Sequence, residues 1–186
     1  LKVHAHVSEQ TLENKACVEA TGLSPVQLLA KHGVLGPDFT AIHATWIDDD
    51  DLALLRDTQS FVGICPTTEG DLGDGVPRTA DLHAHGVRLC IGSDSHAVID
   101  PFCELRMLEY QARAQTQSRC VLADQDGHVA PVLARIGSEN GCLSLGFDGT
   151  SDLVEVDAEA TLMRGSADPV ETALMSGHPG VIRRVV

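Results

Sequence analysis

Histidines and acidic residues stand at the ends of apolar runs in this sequence, and these residue types in that placement suggest metal-assisted hydrolysis. His6 nearly closes the run 3–7, with Glu9 three residues on, His43 nearly closes the run 39–44, and Asp94 follows the run 88–92. His and Asp are good ligands for a divalent ion such as zinc, and a catalytic site leaves one position open for water. Such an ion makes water acidic enough to serve as a nucleophile near neutral pH, and a neighbouring Glu can move its proton. Each residue also has an ordinary structural explanation. A single strand-end His is more often a hydrogen-bonded structural residue than a ligand. Asp94, within Gly92-Ser93-Asp94-Ser95, suits a turn, and Glu9 suits a solvated loop. His4 and His6 share one face by the period of two, so either serves as ligand on this reading. His6 is favoured because it sits nearer the strand end and Glu9. His32, His83, His85, His96, His128 and His178 read as surface or structural residues.

The elements that must position these residues follow from the apolar pattern. Four strand-like runs, 3–7, 39–44, 61–65 and 88–92, alternate with helical patterns over 12–20, 25–32, 52–57, 77–85 and 101–119. Ser24 and Pro25 are start signals and Gly33 a stop signal for the second helix. The acidic run 48–51 opens the third helix, where carboxylates suit the positive end of the helix dipole, without any metal. Strand and helix in alternation predict an α/β fold, a parallel sheet with crossover helices. A closed (β/α)8 barrel takes about 250 residues, whereas four units here occupy roughly 125. The expectation is half a barrel. An open doubly wound sheet competes, but the first strand–helix loop lacks a glycine-rich phosphate turn. In such barrels the functional residues project from the C-terminal strand ends, so the candidates converge on one mouth.

Residues 66–75, rich in turn formers, are expected to form a long loop, and 128–140 one more helix ending at Gly141. Beyond it, short β-like runs at 153–156 and 181–186 predict the start of a small appended β domain. The expected division is 1–145 and 146–186. The chain opens at Leu1 in what reads as mid-strand, so further sequence is expected upstream, and no signal-peptide pattern is visible.

Lys plus Arg number 13 against 27 Asp plus Glu, a net charge of −14 that repels phosphate backbones and disfavours nucleic-acid binding. No run reaches the 18 or so apolar residues of a membrane span. The six cysteines are scattered without a CxxC pair and read as reduced thiols of a cytoplasmic protein. A small-molecule substrate is expected.

The order of these residues resembles the amidohydrolase superfamily, and within it the formimidoylglutamate deiminases. The resemblance rests on His4-Ala5-His6-Val7-Ser8-Glu9-Gln10, on Ile42-His43-Ala44-Thr45 and on Gly92-Ser93-Asp94-Ser95-His96. More specific are Cys65-Pro66-Thr67-Thr68-Glu69, Leu72-Gly73-Asp74-Gly75 and Glu104-Leu105-Arg106-Met107-Leu108-Glu109-Tyr110. It covers about 1–145 well and the tail loosely, and residues 147–153 depart from the family's Gly-x-x-Ala-Asp-Leu. It implies the second half of a (β/α)8 barrel, with His6 and Asp94 as ligands of one zinc ion. It further implies Glu9 as proton shuttle and His43 as the residue that orients the water and polarises the intermediate. The implied reaction converts N-formimidoyl-L-glutamate and water to N-formyl-L-glutamate and ammonia, as in histidine degradation. A His-x-His pair completing the metal site, and the groups gripping the substrate carboxylates, are expected upstream of Leu1. A homodimer is a further expectation of the same kind. A guanine deaminase-like aminohydrolase is the competing enzyme reading, and an inactive fragment or interaction module the competing non-enzyme one.

Overall fold

The computed structural model describes residues 1–148 and 153–186. Four parallel strands lie side by side in chain order: β1 (Val3–Val7), β2 (Phe39–His43), β3 (Phe61–Ile64) and β4 (Arg88–Ile91). The register pairs His6 with Ile42, Ile42 with Gly63 and Gly63 with Cys90, so these residues share one face. A Cβ at Gly63 would lie 2.9 Å from Ile42 Cδ1, and glycine there leaves room for the isoleucine. The opposite face is the core: Val7, Ala41, Val62, Ile64 and Leu89 are buried against Val26, Leu55, Leu82 and Leu108 of the crossover helices. Fully burying each valine, leucine or isoleucine among them is worth about 1.5–3 kcal/mol, and this apolar layer holds the crossover helices against the sheet.

The helices follow from their ends. α1 is Thr11–Thr21 and α2 is Pro25–Lys31. α2 begins with a reciprocal cap, in which Ser24 Oγ accepts from the Gln27 amide and Gln27 Oε1 accepts from the Ser24 amide. α3 (Asp49–Asp57) has the same device in Asp48 and Asp51, so the acidic run caps a helix. The segment expected as loop is instead helical. α4 (Pro66–Leu72) starts with proline at its first position and stops at Gly73, whose φ of +70° is the left-handed region that glycine tolerates. α5 (Thr79–Ala84) and α6 (Pro101–Thr116) precede and follow β4. The helix expected over 128–140 is two helices, α7 (Ala130–Gly137) and α8 (Glu139–Leu145), broken at Ser138. α8 reaches across the sheet: Asn140 Nδ2 donates to the Leu89 carbonyl at 2.8 Å, and His4 Nε2 lies 2.9 Å from the Ser144 carbonyl.

The tail adds β5 (Val154–Val156) and β6 (Ile182–Val185), paired antiparallel, and a helix absent from the sequence expectation, α9 (Pro169–Ser176). Asp168 caps α9, and Ala173 and Leu174 join the same core as the sheet, against α6 and α7. The family departure at 147–153 falls largely on 149–152, outside the described residues. Among the described residues, no helix is long and apolar enough to cross a membrane.

Candidate active site

The C-terminal ends of the strands are where the backbone leaves ordinary geometry. Ser8, His43, Ala44, Asp94 and His96 all have positive φ, between 38° and 71°, without being glycine. Each such residue costs on the order of 1–3 kcal/mol and persists only where its surroundings hold it, commonly at functional sites. At the end of β1, Glu13 does this: its carboxylate accepts from the Ser8 amide at 3.0 Å and the Glu9 amide at 2.9 Å. Strict alternation along β2 would send residue 43 to the helix-facing side with Ala41. The φ of +71° at His43 breaks that alternation, and its ring stacks on His6 with centroids 5.4 Å apart.

The four sequence candidates are therefore brought together. His6 Nε2 is 3.9 Å from Asp94 Oδ1, and His43 Nε2 is 3.6 Å from both Asp94 Oδ2 and Glu9 Oε1. Ligand atoms of His6, His43 and Asp94 all lie within 4.8 Å of one another, close enough for one ion. His43 is fully buried, yet its Nε2 has no hydrogen-bond partner. A buried nitrogen left unpaired and facing two carboxylates is what a cation or a polarised water would satisfy, so the residues fit a metal. His4 is engaged elsewhere, by the Ser144 carbonyl and, at 3.5 Å, by Thr40 Oγ1.

Electrostatics distinguish partly buried Glu9 from fully buried His43. Burial, with the charge and hydrogen bonding of Asp74, holds the Glu9 carboxyl above its ordinary range, although His43 and His6 pull it down. Burial pulls the His43 imidazole down, but the hydrogen bond and charge of Glu69, with the charges of Glu9 and Asp94, outweigh it and leave the ring more basic than usual. The thiols at the same strand ends are poor nucleophiles. Burial raises both, Cys90 to about 11.

Three supporting residues were not singled out from the sequence. Glu69, fully buried on α4, takes His43 Nδ1 at 3.1 Å and the Cys65 amide at 2.9 Å on one carboxylate oxygen. Thr68, beside it, ties down the loop that bears Asp94, through Ser95 and the Ser93 carbonyl. Asp74 accepts from Gln10 Nε2 at 2.8 Å, and its carbonyl accepts from Trp46 Nε1 at 2.7 Å. Gly75 allows this approach, since a Cβ there would sit 2.9 Å from the indole. All three lie in 65–75, but an acid in a first helical turn looks the same in sequence whether it faces water or a histidine.

Four parallel strands, each followed by helix, with imidazoles and carboxylates at their C-terminal ends, define one half of a metal-hydrolase type of (β/α)8 barrel. The amidohydrolase family matches residues 1–174, and the chain belongs to that family. Formimidoylglutamate deiminase of Pseudomonas aeruginosa is 37% identical over 119 residues, 64% of this chain and 26% of that protein. 5-Methylthioadenosine/S-adenosylhomocysteine deaminase of Acetivibrio thermocellus is 25% identical over 193 residues, 99% of this chain and 44% of that protein. The crystal structure of an amidohydrolase from Brucella melitensis superposes with a TM-score of 0.87 at 30% identity, covering 97% of this chain and 44% of that one. The chain thus spans less than half the length of these relatives.

Proposed function

We propose that this chain carries part of the active site of a zinc-dependent hydrolase that converts N-formimidoyl-L-glutamate and water to N-formyl-L-glutamate and ammonia. The observation behind it is the convergence of His6, His43 and Asp94 ligand atoms around a buried, unpartnered Nε2, with Glu9 alongside. His6 and Asp94 are the residues that would hold the ion. Zinc, when bound, lowers the pKa of water enough to supply a nucleophile near neutral pH. Glu9 takes a proton from the attacking water and returns it to the departing nitrogen. Its partly buried position and raised basicity suit a group that must both accept and give. His43 Nε2 faces the reacting atoms and orients the water. At the formimidoyl carbon a C–N bond breaks, a C=O bond forms, and the nitrogen leaves as ammonia.

The substrate rests on segment 65–75 and the 37% identity to the Pseudomonas deiminase. The A. thermocellus match, over nearly the whole chain, favours a nucleoside aminohydrolase as the second reading. An ammonia-release assay on the complete gene product separates them, with N-formimidoyl-L-glutamate, its diester, guanine, adenosine and cytosine as substrates. The free acid should be preferred and esterification should remove most of the catalytic efficiency, because a carboxylate clamp left unpaired is costly. Preference for a nucleobase or a nucleoside, or indifference to esterification, overturns the proposal.

A further inference from the structure

Among the described residues, Glu69 is the one fully buried carboxylate in contact with the candidate site, and its bonding is lopsided. Its Oε1 lies 3.1 Å from His43 Nδ1 and accepts from the Cys65 amide, whereas its Oε2 is buried with no partner. Leaving a buried carboxylate oxygen unpaired is costly, and a glutamine or an apolar residue would avoid leaving such a charge there. The carboxylate therefore earns its place through what Oε1 does. A carboxylate only accepts, so the proton between it and the imidazole belongs to His43 Nδ1. That holds whether the ring is neutral or charged, and it leaves Nε2 as the only ring nitrogen able to change its protonation or bind a ligand. Nε2 is the atom that lies 3.6 Å from Glu9 and Asp94.

The rest of α4 is braced for the same purpose. Its second residue, Thr67, is held by the buried carboxylate of Glu104 on α6. The Thr67 amide donates at 3.0 Å, and the hydroxyl donates to the other oxygen. A helix pinned from α6 thus fixes the depth at which Glu69 meets His43.

We propose that Glu69 is a positioning residue: it keeps the proton of His43 on Nδ1 and presents Nε2 to the reacting atoms. A carboxylate behind an imidazole sets tautomer and ring orientation in this way, and loss of such a partner typically lowers activity by about 10–100-fold. The inference rests on the proposed function for its kinetic arm only.

The test uses the complete gene product, loaded with zinc and labelled with 15N-histidine. Wild-type protein should show a protonated His43 Nδ1. Glu69→Gln, which keeps shape but not charge, should lower kcat by about 10–100-fold with KM and zinc content little changed. Glu69→Ala should lower kcat at least as far and move the ring proton from Nδ1. A residue that merely filled space would leave the ring proton where it is. If Glu69→Ala does not fold, the wild-type spectrum and Glu69→Gln decide. A wild-type Nδ1 without a proton, or an unaltered kcat in Glu69→Gln, overturns the inference. Should the protein release no ammonia from the formimidoyl substrate, the proposed function falls, while the Nδ1 spectrum still decides this point.

Discussion

Thr68→Val tests whether the metal centre depends on α4 as well as on its ligands. Valine keeps the shape of the fully buried Thr68 side chain and removes only its hydroxyl. That oxygen accepts from the Ser95 amide at 3.2 Å and lies 3.1 Å from Ser95 Oγ and 3.3 Å from the Ser93 carbonyl. With one proton to give and two lone pairs to accept with, the hydroxyl makes at least one bond as donor and one as acceptor with the segment carrying Asp94. Two bonds at about 0.5–1.5 kcal/mol each put the loss at about 1–3 kcal/mol. Asp94 sits in that loop at a φ of +38°, a conformation that needs outside support. If the loop must be ordered for Asp94 to meet the ion, the same energy weakens zinc binding by about fivefold to 150-fold. The measurement is a zinc titration of the complete gene product against a chromophoric chelator, with the melting temperature followed in parallel. Unchanged zinc affinity in a variant with a lowered melting temperature would refute the reasoning, because the tether would then serve stability alone.

Two other perturbations separate the groups at the site. Glu9→Gln should retain zinc and lose turnover by about 10²–10⁴-fold, whereas Asp94→Ala should lose metal and activity together. A metal-free Glu9→Gln beside a loaded, active Asp94→Ala would reverse these assignments, and metal analysis with the ammonia assay reads both. Glu104 gives a pH dependence of stability: burial raises its carboxyl above the ordinary 4.5, against the lowering effect of its bonds from Thr67. A raised carboxyl contributes stability that is full below about pH 4.5 and is lost as pH rises through the folded-state value. Glutamine mimics the protonated form, so the stability of wild type relative to Glu104→Gln should fall between about pH 4 and 7 in denaturant titrations. A constant or growing wild-type advantage over that window would contradict it.

The four strands, the parallel α/β class and four side chains to propose as site candidates were legible in the sequence. These depend on local signals: short apolar runs, a Ser-Pro helix start, and polar residues at strand ends. The break at Ser138, the helix Pro66–Leu72 and the helix Pro169–Ser176 were not legible. Their formation depends on partners distant in the chain. Thr67 of α4 is held by Glu104, and Leu174 of α9 is buried in the common core beside α6 and α7. The site divides in the same way. Periodicity along Phe39–His43 would have turned His43 away from His6, and only a left-handed backbone at residue 43, stabilised by packing, aims it at the others. Glu69 has no distinguishing spacing at all. Tertiary structure alone gave it a role, by burying an acid and an imidazole from different strand ends where each has the other as partner.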